Sequence, residues 1–66
     1  MMRDPDIFRA AQLLIDGRGQ SAAPHANRRS KELLLRGYVE ASGLWDEVVA
    51  AIEDLQSDGR DRESLN

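Results

Sequence analysis

The residue types that perform acid–base, nucleophilic or metal chemistry are present in this chain, but their spacing forms no catalytic motif. His25 is the only histidine and there is no cysteine, so a metal site would have to be completed by carboxylates alone. Ser21, Ser30 and Ser42 have no base at a predictable spacing, and each suits a helix cap or a packing contact. We therefore predict that the protein is not an enzyme and holds no metal and no cofactor.

Two other patterns have structural interpretations rather than chemical ones. Gly17-Arg18-Gly19 is not a phosphate loop, because no strand precedes it and no Gly-Lys-Ser sequence follows, so it predicts a turn. The second pattern is a group of acids on the polar side of a predicted amphipathic helix, without the loop geometry that calcium prefers. These acids, which the pattern assigns to a solvated helix face, are Asp46, Glu47, Glu53 and Asp54.

An apolar stripe from Leu44 to Leu55 is the feature around which the rest of the chain is predicted to pack. Its members recur at the spacing of one helix face. Since the stripe contains the only tryptophan, the preceding helices are expected to surround the indole. Tryptophan also dominates binding surfaces, so Trp45 as core and Trp45 as interface both stay open. The stripe consists of Leu44, Trp45, Val48, Val49, Ile52 and Leu55.

Capping signals predict a first helix over about 5–16. Asp4 suits an N-cap and Pro5 the first helical position, while Gly17 and Gly19 supply the stop. The apolar face expected to pack inward consists of Ile7, Phe8, Ala11, Leu14 and Ile15.

A second helix is predicted over about 22–36. Ser21 is a candidate N-cap, with a start at Pro24 as the alternative, and Gly37 is the predicted C-cap. Its predicted inner face, with small residues first and large ones last, consists of Ala22 or Ala23, Ala26, Ser30, Leu33 and Leu34.

The third helix is predicted over about 39–57, with a start at Ser42 as the alternative. Residues 58–66 are charged and lack an apolar period, which predicts a disordered tail. The expected architecture is all-α: a single domain over 1–57 in which helical hairpins pack around the helix of Trp45, followed by the tail.

Length and composition favour association with a partner. A chain of 66 residues forms one domain, and its small core leaves little stability beyond the cost of ordering the chain. With no disulfide available, self-association or a protein partner is the stabilising device that remains, and a homodimer is the first expectation. Neither a secretory signal nor a membrane span is recognisable, so we expect a cytoplasmic protein without membrane contact.

Charge is distributed unevenly along the chain, whose net charge is −3. Residues 21–37 hold four basic side chains and one acid, whereas residues 38–66 hold eight acids and two arginines. A basic middle helix could contact phosphates, which makes a small DNA- or RNA-binding regulator the alternative hypothesis. The acidic third helix and a pI near 4.9 argue against it. The alternative patch would be Arg28, Arg29, Lys31 and Arg36.

The favoured hypothesis is a non-catalytic helical protein–protein interaction domain. It would self-associate or serve as an accessory or regulatory subunit of another protein, and it would act through an apolar helix surface. The candidate interaction residues are Tyr38, Leu44, Trp45, Val48, Val49 and Ile52.

Several motifs of this sequence resemble the pattern of a group of small proteins. The motifs are the opening run 4–11; Arg29, Glu32, Leu33, Leu34 and Gly37; and Trp45, Ala50, Ala51, Ile52 and Leu55. Over roughly residues 4–56 the chain resembles a family of small uncharacterised alphaproteobacterial proteins. The resemblance implies a helical fold and no particular function. Those proteins often carry an aspartate cap after the glycine, where this chain has Tyr38.

Overall fold

Three α-helices and one short 3₁₀ turn make up the part of the chain that the structure describes. The structure is a computed structural model, which describes the backbone of residues 5–65 and the side chains of residues 5–57. The elements are α1 (Pro5–Arg18), a 3₁₀ turn (Gly19–Ser21), α2 (Ala22–Leu35) and α3 (Val39–Leu65). No strand occurs within this part, which confirms the predicted all-α class.

Helix α1 begins at Pro5 and is two residues longer than predicted. The predicted cap Asp4 lies outside the described residues. Gly17 does not stop the helix, because a glycine with ordinary helical backbone angles only weakens one. The stop is Gly19, whose φ of +58° belongs to the left-handed region that glycine adopts without strain.

Helix α2 starts where one of the two sequence alternatives placed it. Ser21 occupies the N-cap position and Pro24 lies in the first turn. The predicted capping bond is absent, however, because the Ser21 hydroxyl donates to the Arg18 carbonyl at 2.9 Å. The Ser21 hydroxyl therefore bonds back across the 3₁₀ turn and not to the first N–H groups of α2, as a serine N-cap would.

A Schellman motif ends α2 and reverses the chain. Gly37 has a φ of +88°, its N–H donates to the Leu34 carbonyl at 3.0 Å, and the Tyr38 N–H donates to the Leu33 carbonyl at 2.9 Å. The Tyr38 carbonyl then accepts the first bond of α3, from the Ser42 N–H at 3.0 Å. This confirms the predicted C-cap and the early start of α3, and it makes α2 and α3 an antiparallel hairpin.

Helix α3 continues beyond its predicted end near residue 57 and reaches Leu65. Gly59 is the one weak helix former at that point, and a single glycine costs about 1 kcal/mol, which does not stop a helix by itself. The side chains of the predicted tail, 58–66, lie outside the described residues.

The core lies where α3 packs on both other helices, most extensively on α2. It is built largely from alanines, and Ile52 is its one large, fully buried side chain among the described residues. Phe8, predicted to face inward, is 39% exposed. The Gln56 side-chain amide donates to the Gly19 carbonyl at 3.0 Å and ties α3 to the 3₁₀ turn. The buried apolar residues are Ile7, Ala11, Ala22, Ala26, Val48, Ala51 and Ile52.

Candidate interaction surface

The α2–α3 hairpin is packed against α1 on one side only. Helix α1 packs on α3 near Val48, Ala51 and Ile52, which are buried. Helical periodicity places one row of α3 residues on the side that faces away from α1, and a matching row of α2 residues on the same side of the hairpin. All of these residues are exposed except Gly43, which is half-buried. This uncovered face comprises Pro24, Asn27, Lys31 and Leu34 of α2 and Val39, Gly43, Asp46, Ala50 and Glu53 of α3.

Two large apolar side chains, Leu34 and Val39, lie at the end of the uncovered face near the α2–α3 connection. Ser30 contacts Ser42 across the hairpin, and Leu34 is one turn beyond Ser30 while Val39 is about one turn before Ser42. The two apolar side chains are therefore neighbours. Leu34 is 55% exposed and Val39 is 64% exposed, so each would lose a substantial apolar area to a partner.

The connection itself enlarges this apolar area. Leu35 is 88% exposed and Tyr38 is 59% exposed. Beside them is a shallow depression of about 570 Å³, lined by Leu33, Gly37, Tyr38, Val39, Glu40 and Ala41. We call Leu34, Leu35, Tyr38 and Val39 together the apolar end of the hairpin.

The structure divides the residues predicted to form the interaction surface into three groups. Tyr38 and Leu44 are exposed, whereas Trp45 and Val49 are half-buried against the core. The prediction is wrong for the remaining two, because Val48 is 5% exposed and Ile52 is fully buried. Both point into the space between α1 and α2, so a partner cannot reach them in the folded chain.

Sequence reasoning missed most of the apolar end. It assigned Leu34 to the inner face of α2, yet only Leu33 of the three consecutive leucines is half-buried. A signal was present in the sequence, since successive helical residues are about 100° apart and Leu33, Leu34 and Leu35 cannot all face one core. Val39 was used only to locate the start of α3.

Trp45 is packed by polar side chains on the part of its ring that the core leaves uncovered. The His25 ring meets it edge-on, with 6.3 Å between ring centroids, and the Arg29 guanidinium carbon lies 5.8 Å from the indole centroid. Trp45 is thus half-buried against the core and also contacts the His25 ring and the Arg29 guanidinium. Loss of water contact, and then the charges of Arg18, Arg28 and Arg29, lower the pKa of His25, while Glu32 acts in the opposite direction.

A buried polar network joins α2 to α3. The Ser30 hydroxyl oxygen lies 2.6 Å from Asp46 Oδ1, 2.9 Å from the Ser42 hydroxyl and 3.1 Å from the Ser42 carbonyl. A hydroxyl has one proton, and the shortest distance, to the carboxylate, favours donation to Asp46 while Ser42 donates to Ser30. Ser30 and Ser42 are each 4% exposed, and the network leaves neither hydroxyl unsatisfied.

The basic residues of α2 are all exposed but do not form one continuous patch. Arg28 and Lys31 face outward, whereas Arg29 turns toward Trp45 and binds Glu32 at 3.2 Å. Glu32 follows Arg28 by one helix turn and places a carboxylate among the cations. An arginine held by both an acid and an indole is less available for phosphate.

The described residues contain no group of histidine and acidic side chains that could hold a metal ion. No helix among them is long and apolar enough to cross a membrane. In comparisons with protein-family models, curated proteins and solved structures, nothing matched this chain. Function is therefore inferred from the surface of the chain itself.

Proposed function

We propose that this protein is a non-catalytic helical interaction domain that associates with a second copy of itself through the apolar end of the α2–α3 hairpin. The observation that carries the proposal is the grouping of Leu34, Leu35, Tyr38 and Val39, all more than half exposed, at one end of a hairpin that α1 leaves open. Soluble monomers seldom expose such a group together without a partner for it.

The thin core supports the same proposal. Among the described residues, alanines fill much of the space between the helices, so each chain buries few large apolar groups. Covering the apolar end against another chain adds burial that the single chain lacks, at about 25 cal/mol per Å².

Acidic and basic regions favour a protein partner over nucleic acid. The chain carries a net charge of −3, and Asp46 and Glu53 lie on the same uncovered face as Lys31. A nucleic-acid backbone approaching that face would meet carboxylates. A second copy of this chain carries Lys31 on that face as well as the two carboxylates, so it can place a cation against a carboxylate, which a nucleic-acid backbone cannot.

The test is a matched pair of substitutions. Val39→Glu places a charge in the apolar end, and Leu13→Glu places the same charge on α1 at nearly the same exposure, 64% against 65%. A glutamate suits position 39, the first turn of α3, because it faces the positive end of the helix dipole. Both variants are expected to retain the helical circular dichroism of the parent.

Sedimentation equilibrium then measures whether each variant associates. We expect dimers from the parent and from Leu13→Glu, and monomers from Val39→Glu. Equal association of both variants, or a parent that is monomeric at every concentration, would remove the proposal. In the second case, site-specific photo-crosslinking from Leu35 in cells would ask whether a different protein covers the apolar end.

A further inference from the structure

We infer that the two copies join their uncovered faces about a two-fold axis parallel to the hairpin, so that α2 of each copy lies antiparallel to α3 of the other and Arg28 pairs with Glu47 of the second copy. This inference rests on the proposed function and adds to it the register of the two chains. Two-fold pairing is the common arrangement of homodimers, because both copies use the same surface and each contact between them occurs twice.

The direction of the axis follows from where the apolar residues lie. Leu34 and Val39 are at one end of the uncovered face, and the opposite end carries polar or small residues such as Glu53 and Ala50. An axis parallel to the helices brings the two apolar ends together. An axis perpendicular to them would place each apolar end against the polar end of the other copy, which buries less apolar area.

The register follows from the polar network. The Ser30 hydroxyl is within 2.9 Å of both the Ser42 hydroxyl and the Asp46 carboxylate, so Ser30 stands at a height between these two residues of α3. Arg28 is two residues nearer the start of α2, a shift of about 3 Å toward the level of residues 46 and 47. A two-fold axis parallel to the hairpin preserves these heights, so Arg28 is level with Glu47 of the second copy.

Charge and orientation agree with that register. Arg28 and Glu47 are exposed, and each borders the uncovered face on its outer edge. Neither residue forms a salt bridge within the described part of the chain. Pairs of opposite charge that flank an apolar seam between antiparallel helices select orientation and partner more than they add affinity. The pair occurs twice in the dimer, once on each side of the axis.

A charge exchange tests the register. Arg28→Glu and Glu47→Arg each put two like charges opposite one another at both copies of the pair. The double variant Arg28→Glu/Glu47→Arg restores opposite charges, with the acid on α2 and the base on α3. Asp16→Arg, an exposed site on α1, is the control for the change in net charge. Sedimentation equilibrium at low salt gives the dimer dissociation constant of each variant.

We expect each single variant to weaken the dimer about tenfold and the double variant to return within about threefold of the parent. The control should match the parent. If Val39→Glu abolishes the dimer while the single charge variants leave it unchanged, or if the double variant shows no recovery, this register is wrong and the proposed function stands. A parent that never dimerises would overturn both.

Discussion

Ser30 links α2 to α3 at the scale of single side chains. It is 4% exposed and hydrogen-bonds Ser42 and Asp46 across the hairpin. A buried hydroxyl of this kind adds specificity, because sliding α2 along α3 would leave polar groups without partners. The apolar contacts around it would tolerate such a shift better.

Ser30→Ala is expected to lower the free energy of unfolding by about 1–3 kcal/mol, because it leaves the Ser42 hydroxyl buried without its partner and removes the bond to Asp46. Urea denaturation followed by circular dichroism measures this. Ser57→Ala, at an exposed position of α3, is the control and should change stability by less than about 0.5 kcal/mol. Equal effects would show that the network contributes nothing specific.

The lowered pKa of His25 predicts that the stability of the domain depends on pH. Loss of water contact and three neighbouring arginines lower its pKa below the ordinary value of 6.5, so the folded chain binds this proton less readily than the unfolded chain. Stability linked to neutral His25 is therefore fully present above about pH 6.5 and is lost as the pH falls through that value toward the lowered pKa.

A comparison with His25→Gln isolates this effect from the titration of carboxylates. We expect the parent to lose more unfolding free energy than the variant between about pH 7.5 and pH 5.5. Urea unfolding at both pH values gives the four free energies. An equal loss of unfolding free energy in the two proteins would mean that His25 has the same pKa in the folded and unfolded chains.

Gly17 and Gly37 differ in backbone conformation, which predicts opposite effects of alanine at the two positions. Gly17 lies inside α1 and a Cβ there would have nothing within 4 Å, so Gly17→Ala should stabilise by about 0.5–1 kcal/mol. Gly37 has the same open space but a φ of +88°, so Gly37→Ala should destabilise by about 1 kcal/mol or more. Thermal melts of both variants decide whether the Schellman motif needs its glycine.

Much of the element structure was predictable from local chemistry. Gly37 located the end of α2 because glycine permits a positive φ, which is a property of a single residue. The exposure of Leu34 was not predictable in this way. Helical geometry excludes one shared core face for Leu33, Leu34 and Leu35, but which of them is exposed depends on which side of the hairpin α1 covers.

The candidate site shows the same division between local and tertiary information. The apolar stripe of α3 was predicted as a helix face on which the preceding helices pack, and the burial of Val48 and Ile52 confirms this. Which residues of the stripe stay accessible to a partner depends on the packed structure. The basic run of α2 was visible as composition, whereas the contact of Arg29 with both Glu32 and Trp45 requires the packed hairpin.

At the scale of the whole molecule, folding and association are coupled in this account. A domain with a thin core and an open apolar end gains burial when a second copy covers that end, so we expect the dimer to be more stable than the monomer. Salt should weaken the dimer only modestly, because it screens the flanking charges and leaves apolar burial intact. The dimer would then persist at ionic strengths that release nucleic-acid complexes.

The melting temperature as a function of protein concentration tests this coupling most directly. Over a hundredfold range of concentration, the melting temperature of the parent protein should rise, while that of Val39→Glu should stay constant because the variant melts as a monomer. A parent melting temperature that does not change over this range would contradict self-association through the apolar end of the hairpin.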